Sequence, residues 1–379
     1  MPEGDTLYRV ARTLNKALAG QVVRRFDAAY APLLRIDEEA PLVGRTVQRV
    51  EARGKWCLIW LGPRVAPGAA SPPRRWDGVL VLCTHLRMSG MWHIYRAGSA
   101  GRAGSARRAG SAERTESAES AESAESAESA ESAESAGSAG SAGSAESAES
   151  AGSAESAESA GSAESAGSAE SAGSTLDSDE PWQRPRRDMR VLLATDAFVA
   201  VGFRVPVASL LTVPELARHP DLSRLGPDLL AEPFAADEAL RRLRADGDRQ
   251  LGDALLDQRL VAGLGNVYKS ELCFMTGLHP LLPIGAVPEE TLRKVLELGR
   301  RLLRANAYAP NPAAEAVTFT GLRRTTAAMD PRRRLWVYGR AGLPCRRCGT
   351  PIGEKRQGLG ARVTFFCPTC QPLKEATIA

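Results

Sequence analysis

The amino-acid sequence predicts an α+β multidomain chain in three parts. A strand-rich first part follows one N-terminal helix, a helical second part comes next, and a small metal-held unit ends the chain. Three observations predict this. Apolar residues recur at helical spacing over 4–18 and then in short runs at strand spacing, the helical period returns from about residue 214, and two CxxC pairs stand near the C-terminus. A length of 379 residues suits two or three domains.

The chain opens "MPEGDT". If Met1 is removed, Pro2 becomes a rigid secondary amine beside the Glu3 carboxylate. The next stretch, "GDTLYRVARTLNKAL", carries Leu7, Val10, Ala11, Leu14 and Leu18 on one helical face, with Asp5 available as a cap. "QVVRRFDA", "TVQRVEARGKWCLIWLG" and "GVLVLCTHLRMSGMWHIYR" then read as strands joined by turns.

Residues 97–180 interrupt that pattern with a Ser/Ala/Glu/Gly insert. Its repeat, 97–174, holds 14 Glu and 4 Arg, a net −10, which leaves +14 on the other 301 residues of a chain whose total is +4. With no bulky apolar side chains the repeat cannot offset its ordering entropy, and its composition predicts disorder. "MRVLLATDAFVAVGFRV" resumes the strand texture, so the insert lies in a loop between two strands of one domain.

"VPELARHPDLSRLGPDLL", "DEALRRLRAD", "DALLDQRLV", "YKSELCFMTG" and "PEETLRKVLELGRRLLRANA" read as helices. "GLGN" separates two of them, and its glycines permit a tight turn. Asn266 stands at the start of the second helix, as a plain N-cap or as part of a phosphate site made by the exposed amides and the helix dipole. His279 reads as a structural loop residue.

The most specific motif is Cys345-x2-Cys348, 18 residues, then Cys367-x2-Cys370. Each CxxC turn aims two thiolates at one ion, the spacer suits a β-hairpin, and four sulfurs make a closed structural Zn²⁺ site. The region 331–374 has ten Lys or Arg against one acid, Glu354, which suits phosphate contact. Cys57, Cys83 and Cys273 lie in apolar patterns and read as core. No apolar run is long enough for a transmembrane helix, and no export signal is evident.

Taken together, Pro2–Glu3, the "GK" of a strand, "LLDQRLVAGLGNVY" and the four-cysteine ribbon, in this order, resemble the formamidopyrimidine-DNA glycosylase/endonuclease VIII family of base-excision repair enzymes, with "MPEGDT" similar to the endonuclease VIII branch. The resemblance covers the chain apart from the insert. It implies an N-terminal helix plus β-sandwich over 1–208, a helix-two-turn-helix domain over 209–330 and a zinc ribbon over 331–379. It also implies damaged double-stranded DNA as partner, one structural Zn²⁺, and a monomer working in the bacterial cytoplasm at the nucleoid.

Roles follow residue by residue. Pro2 resembles the nucleophile that attacks deoxyribose C1′ and forms an imine. Glu3 resembles the general acid/base, and Lys55, by itself a strand-edge charge, resembles the lysine proposed as proton donor in β-elimination. Arg362 and Asn266 match the phosphate-binding arginine and asparagine, and Met88, by itself a loop or core residue, matches the wedge that fills the gap left by an extruded base. His85 and Arg87 flank it. Relatives specific for oxidised purines carry Pro-Arg-Arg-Phe-Gly where this chain has "TDAFVAVGF", which favours oxidised pyrimidines. Thr6 stands where many relatives have Glu. Two other readings stay open: a formamidopyrimidine/8-oxoguanine glycosylase, and a non-catalytic zinc-ribbon nucleic-acid-binding protein.

Overall fold

The computed structural model describes residues 2–63, 75–98, 181–308, 323–328, 330–358 and 360–373. The expectation of disorder for 97–180 falls outside them, save for Ala97 and Gly98. Among the described residues no helix is long and apolar enough to cross a membrane.

Helix α1 runs Gly4–Leu18 and buries Leu7, Val10, Ala11, Leu14, Ala17 and Leu18, the face its spacing predicts. Asp5 does not cap it; the N-cap position is Glu3, and Asp5 is buried in the first turn. Strands β1 (Arg25–Ala28), β2 (Val47–Arg53), β3 (Trp56–Leu61), β4 (Leu80–His85), β5 (Met91–Arg96), β6 (Met189–Ala194), β7 (Phe198–Phe203) and β8 (Val207–Thr212) form two antiparallel four-stranded sheets, ordered β1-β6-β7-β5 and β2-β3-β4-β8. Helix α2 (Ala31–Glu39) and strand β8 have no counterpart in the sequence reading. Because β8 pairs with β4 along its whole length, the second sheet continues to residue 212, past the boundary of 208 expected above.

The alternation of side chains explains why β3 is apolar at every position. Cys57, Ile59 and Leu61 face a core shared with α1 and with Val191, Leu193 and Ala200 of the other sheet, so the two sheets form a sandwich. Trp56, Leu58 and Trp60 face outward, under Leu216 and Leu222. Both faces are covered, so no polar alternation is needed. The insert connects β5 to β6, two strands that flank β7 in one sheet. Where the chain returns, Trp182 stacks on Tyr95 and the Gln183 N–H donates to the Tyr95 hydroxyl (3.0 Å).

The second part is less helical than its sequence reads. Helix α3 spans only Val213–Ala217 and α5 only Leu251–Ala254. Pro220 and Pro227 break the first, since neither can donate a helical N–H. Helices α4 (Ala236–Arg244), α6 (Asn266–Thr276) and α7 (Glu289–Ala307) match their patterns. They enclose a second core through Leu240, Leu243, Leu255, Leu264, Tyr268, Leu272, Leu292 and Leu296. The last part is the expected hairpin, β9 (Gly353–Gln357) with β10 (Arg362–Phe366).

Candidate active site and metal centre

The site is assembled from segments remote in the chain, and the turn between α5 and α6 organises it. Gln258 shapes that turn: its Oε1 accepts the Gly263 N–H (3.0 Å), and its Nε2 donates to the carbonyls of Leu256 and Leu264 (2.9 Å each). Helix α6 then begins at Asn266 with no side-chain cap from its own sequence. The cap comes from Glu3 instead. Val267 N–H donates to Glu3 Oε1 (2.8 Å) and Tyr268 N–H to Oε2 (3.4 Å). The amides expected above to be exposed for phosphate are therefore taken by a carboxylate that is 0% exposed. Its negative charge meets the positive end of the helix.

This seat requires Gly265. Its backbone is extended, so no unusual φ is involved, but a Cβ there would lie 2.3 Å from Glu3 Cδ. Gly265→Ala is expected to cost about 1–3 kcal/mol through forced repacking. It also displaces Glu3, read as a lowered Tm together with a slower enzyme.

A buried charged cluster surrounds Glu3. Arg323 donates to both Asp5 oxygens (2.8 and 2.6 Å), Tyr268 donates to Asp5 Oδ2 (3.1 Å), and Arg323 Nη1 lies 3.9 Å from Glu3 Oε1. Burial alone would raise the Asp5 carboxyl, but Arg323 overrides it and holds it below the ordinary carboxylate value. Thr6 joins the cluster by accepting from Arg323 (3.2 Å). Asp5 and Tyr268 lie inside the quoted motifs "MPEGDT" and "LLDQRLVAGLGNVY" and Arg323 in none, but no local signal pairs them, because the pairing spans about 260 to 320 residues of chain.

Lys55 sits in the two-residue turn between β2 and β3, with Gly54 before it at φ +59. It is half-buried, and burial lowers its pKa; Glu3 opposes that shift while Arg362 and Arg323 add to it. Lys55, Asn266 and Arg362 line one cleft of ≈ 270 Å³, together with Arg249, Arg259 and Gln357. Pro2 is half-buried immediately ahead of Glu3. Met88 is 62% exposed on the β4–β5 turn, and Arg362 Nη1 points to its sulfur at 3.8 Å. His85 is different: burial, with Lys55 and Arg87 beside it, pushes its pKa down to about 4, so at pH 7 it offers no positive charge. It packs edge-on to Trp56, and its Nδ1 accepts from Arg87 N–H (3.0 Å).

Asn266 is buried, and its Nδ2 donates to the Val363 carbonyl of the ribbon hairpin (2.7 Å). The same contact zone holds Lys269, fully buried, which donates to Thr364 Oγ1 (2.5 Å). Thr364 in turn donates to Gln357 Oε1 (2.5 Å), and Gln357 donates to Gln250 and to the Pro280 carbonyl (3.0 Å each). Burial pushes Lys269 down to about 8. Glu271 anchors the approach to the ribbon, accepting the N–H groups of Trp336, Val337 and Tyr338 (2.8–2.9 Å) and the Thr325 hydroxyl. His279 packs against Phe366 and accepts from Leu281 N–H, a structural arrangement.

The four ribbon cysteines converge. Their sulfurs all lie within 4.8 Å of one another, with Cys345···Cys370 at 3.9 Å and Cys348···Cys367 at 3.5 Å. Four thiolates at a Zn–S distance of about 2.3 Å in a tetrahedron are about 3.8 Å apart, whereas a disulfide needs about 2.05 Å. The donor set fits one structural zinc ion with no open position.

Comparison with known proteins bears on the domain order and the four-cysteine centre. Three family models match in order: the formamidopyrimidine-DNA glycosylase N-terminal domain over residues 1–128, the formamidopyrimidine-DNA glycosylase H2TH domain over 225–307, and the zinc finger found in FPG and IleRS over 342–373. The chain is 33% identical to "Probable endonuclease 8 2" of Streptomyces coelicolor, covering 98% of this chain and 94% of that one. It is 40% identical to "DNA-(apurinic or apyrimidinic site) lyase Nei2" of Mycolicibacterium smegmatis, covering 98% and 99%. A solved structure of Lactococcus lactis formamidopyrimidine-DNA glycosylase, bound non-covalently to DNA containing an AP site, shares the fold at a TM-score of 0.59 and 18% identity, covering 98% of this chain and all of that one. Domain order, full-length relatives and the four-sulfur centre lead to one conclusion: the chain belongs to the formamidopyrimidine-DNA glycosylase/endonuclease VIII family of base-excision repair enzymes.

Proposed function

We propose that this DNA glycosylase and AP lyase excises oxidised pyrimidines from duplex DNA through an imine on Pro2 and then cuts the strand by β,δ-elimination. The observation that carries the reading is the seating of Glu3, immediately after Pro2, on the first turn of α6, with Lys55, Asn266 and Arg362 lining the cleft beside it. The neutral Pro2 nitrogen attacks C1′, the bond to the damaged base breaks, and the ring-opened sugar is held as an iminium. Glu3 moves protons during ring opening, and Lys55, whose ammonium is half-buried among Glu3, Arg323 and Arg362, serves as the acid in elimination. Arg362 and the remaining N–H of Asn266 hold the flanking phosphates. The zinc ion supplies no chemistry of its own; it fixes the hairpin that carries Arg362.

The preference for pyrimidines is supported by the β6–β7 turn. It is only Thr195–Ala197, closed by Thr195 N–H donating to the Phe198 carbonyl (2.8 Å), and Phe198 packs on the core. No Arg or Phe projects from it to replace an extruded base on the opposite strand, while exposed Met88 is available on the lesion side. A panel of duplexes decides the point. Thymine glycol is expected to be excised at least tenfold faster than 8-oxoguanine, and the reverse order favours the purine reading.

A further inference from the structure

Lys55 stands on a two-residue turn whose Gly54 is buried close to the Leu225 and Ala262 side chains. The strands pair up to Arg53↔Trp56, and the turn itself is Gly54–Lys55, with Gly54 at positive φ, the residue such a hairpin asks for in its first central position. The polar contact that holds the turn comes from a residue 174 positions away. The Gly54 N–H donates to Asp228 Oδ2 at 2.7 Å. The other oxygen, Oδ1, accepts Leu230 N–H at 2.9 Å, so each oxygen of this half-buried carboxylate takes one backbone amide.

Asp228 is itself fixed to the backbone that seats the N-terminus. Its segment bridges to Ala262 through Ala262 N–H to the Pro227 carbonyl (2.9 Å) and Leu229 N–H to the Ala262 carbonyl (3.2 Å). The next residue, Gly263, gives its carbonyl to Gly4 N–H at 2.8 Å. Two residues further, Gly265 carries Glu3 against it. One short backbone stretch, 262–265, therefore sets the position of the Pro2–Glu3 end and, through Asp228, of the Lys55 turn.

We propose that Asp228 is a positioning residue for Lys55: it pins the Gly54–Lys55 turn to the backbone that carries Glu3 and so fixes the ammonium relative to the imine. The proposal rests on the reading of Lys55 as the acid of elimination. Asp228 touches no substrate; its burial raises its pKa, and it works as an acceptor of two backbone amides. Losing it leaves the Gly54 and Leu230 N–H groups without this acceptor and frees the turn.

The test is single-turnover cleavage of a duplex with a preformed abasic site, using full-length, zinc-loaded protein. Asp228→Ala is expected to slow cleavage at saturating duplex about 10- to 100-fold, the cost of a displacement of roughly 1 Å at a reacting group, with little change in the half-saturating concentration. Because the effect passes through Lys55, Lys55→Ala/Asp228→Ala is expected to be no slower than Lys55→Ala alone. Multiplied defects in the double variant, or an undiminished rate in Asp228→Ala, overturn the proposal. Should Asp228→Ala fail to hold zinc or fold, Asp228→Asn serves: its NH₂ must face either Gly54 N–H or Leu230 N–H, donor against donor. In that variant Lys55 gains solvent while Glu3, Arg362, Arg323 and His85 around it are unchanged. The alkaline limb of the pH–rate profile then moves to higher pH; a profile merely scaled down, with its limb in place, rejects positioning. A wild-type rate in Lys55→Ala instead removes the underlying reading of Lys55, and is told apart because it involves no change at Asp228.

Discussion

A Pro2→Gly variant is expected to lose at least nine-tenths of the covalent protein–DNA adduct that borohydride traps on an abasic duplex, and a variant that keeps Met1 is expected to lose the same. Both remove the rigid secondary amine while leaving Glu3, the α6 N-terminus and the cleft in place. An α-amino group has an ordinary pKa of about 8, against about 10.4 for a lysine, so about one in ten is neutral and nucleophilic near pH 7, against fewer than about one lysine in a thousand. The sign of the pH dependence follows. Adduct formation rises as pH climbs toward the amine's pKa, and strand cleavage falls again once Lys55 loses its proton, at a pH brought down from the ordinary lysine range by burial. Adduct yield read by denaturing gel, with intact mass confirming the first residue, checks both points. Full trapping in the Met1-retaining form overturns the imine on Pro2.

Removal of zinc is expected to abolish specific DNA binding, a loss of at least 100-fold in affinity, and to unfold the ribbon. Structural zinc contributes on the order of 10 kcal/mol or more to small metal-held units, and Ile352 and Val337 are among the few buried apolar side chains the hairpin could fall back on. The damage then spreads. Without β10, Asn266 and Lys269 lose the Val363 carbonyl and Thr364 hydroxyl, so a buried ammonium is left without its partner. Cys348→Ser is expected to reproduce the effect of a chelator. Fluorescence anisotropy on a duplex with a stable abasic analogue, alongside zinc stoichiometry by mass spectrometry, measures it. One zinc per chain and restored binding on re-addition are the expected results, and unchanged binding by a metal-free protein overturns the assignment.

Much of this was written locally. The 4–18 helix, the strands on either side of the repeat and the CxxC spacing of the ribbon are periodic or motif-bearing, and side-chain period follows directly from backbone geometry. Where one local signal misled, a competing local one was the reason: the prolines at 220 and 227 shorten a stretch whose apolar spacing alone reads as a long helix.

The sequence by itself determined which residue types could do the chemistry: a prolyl amine next to a carboxylate, a lysine after a glycine in strand-like sequence, four thiolates in two pairs. Tertiary structure alone decided what those groups touch. Glu3 became the cap of a helix 264 positions away, Arg323 closed on Asp5 across 318, and Asp228 took hold of the lysine turn across 174. Contacts of that separation depend on how two sheets, a glycine turn and a metal-held hairpin pack against one another. No local pattern encodes them, because each partner is, within its own segment, an ordinary polar residue.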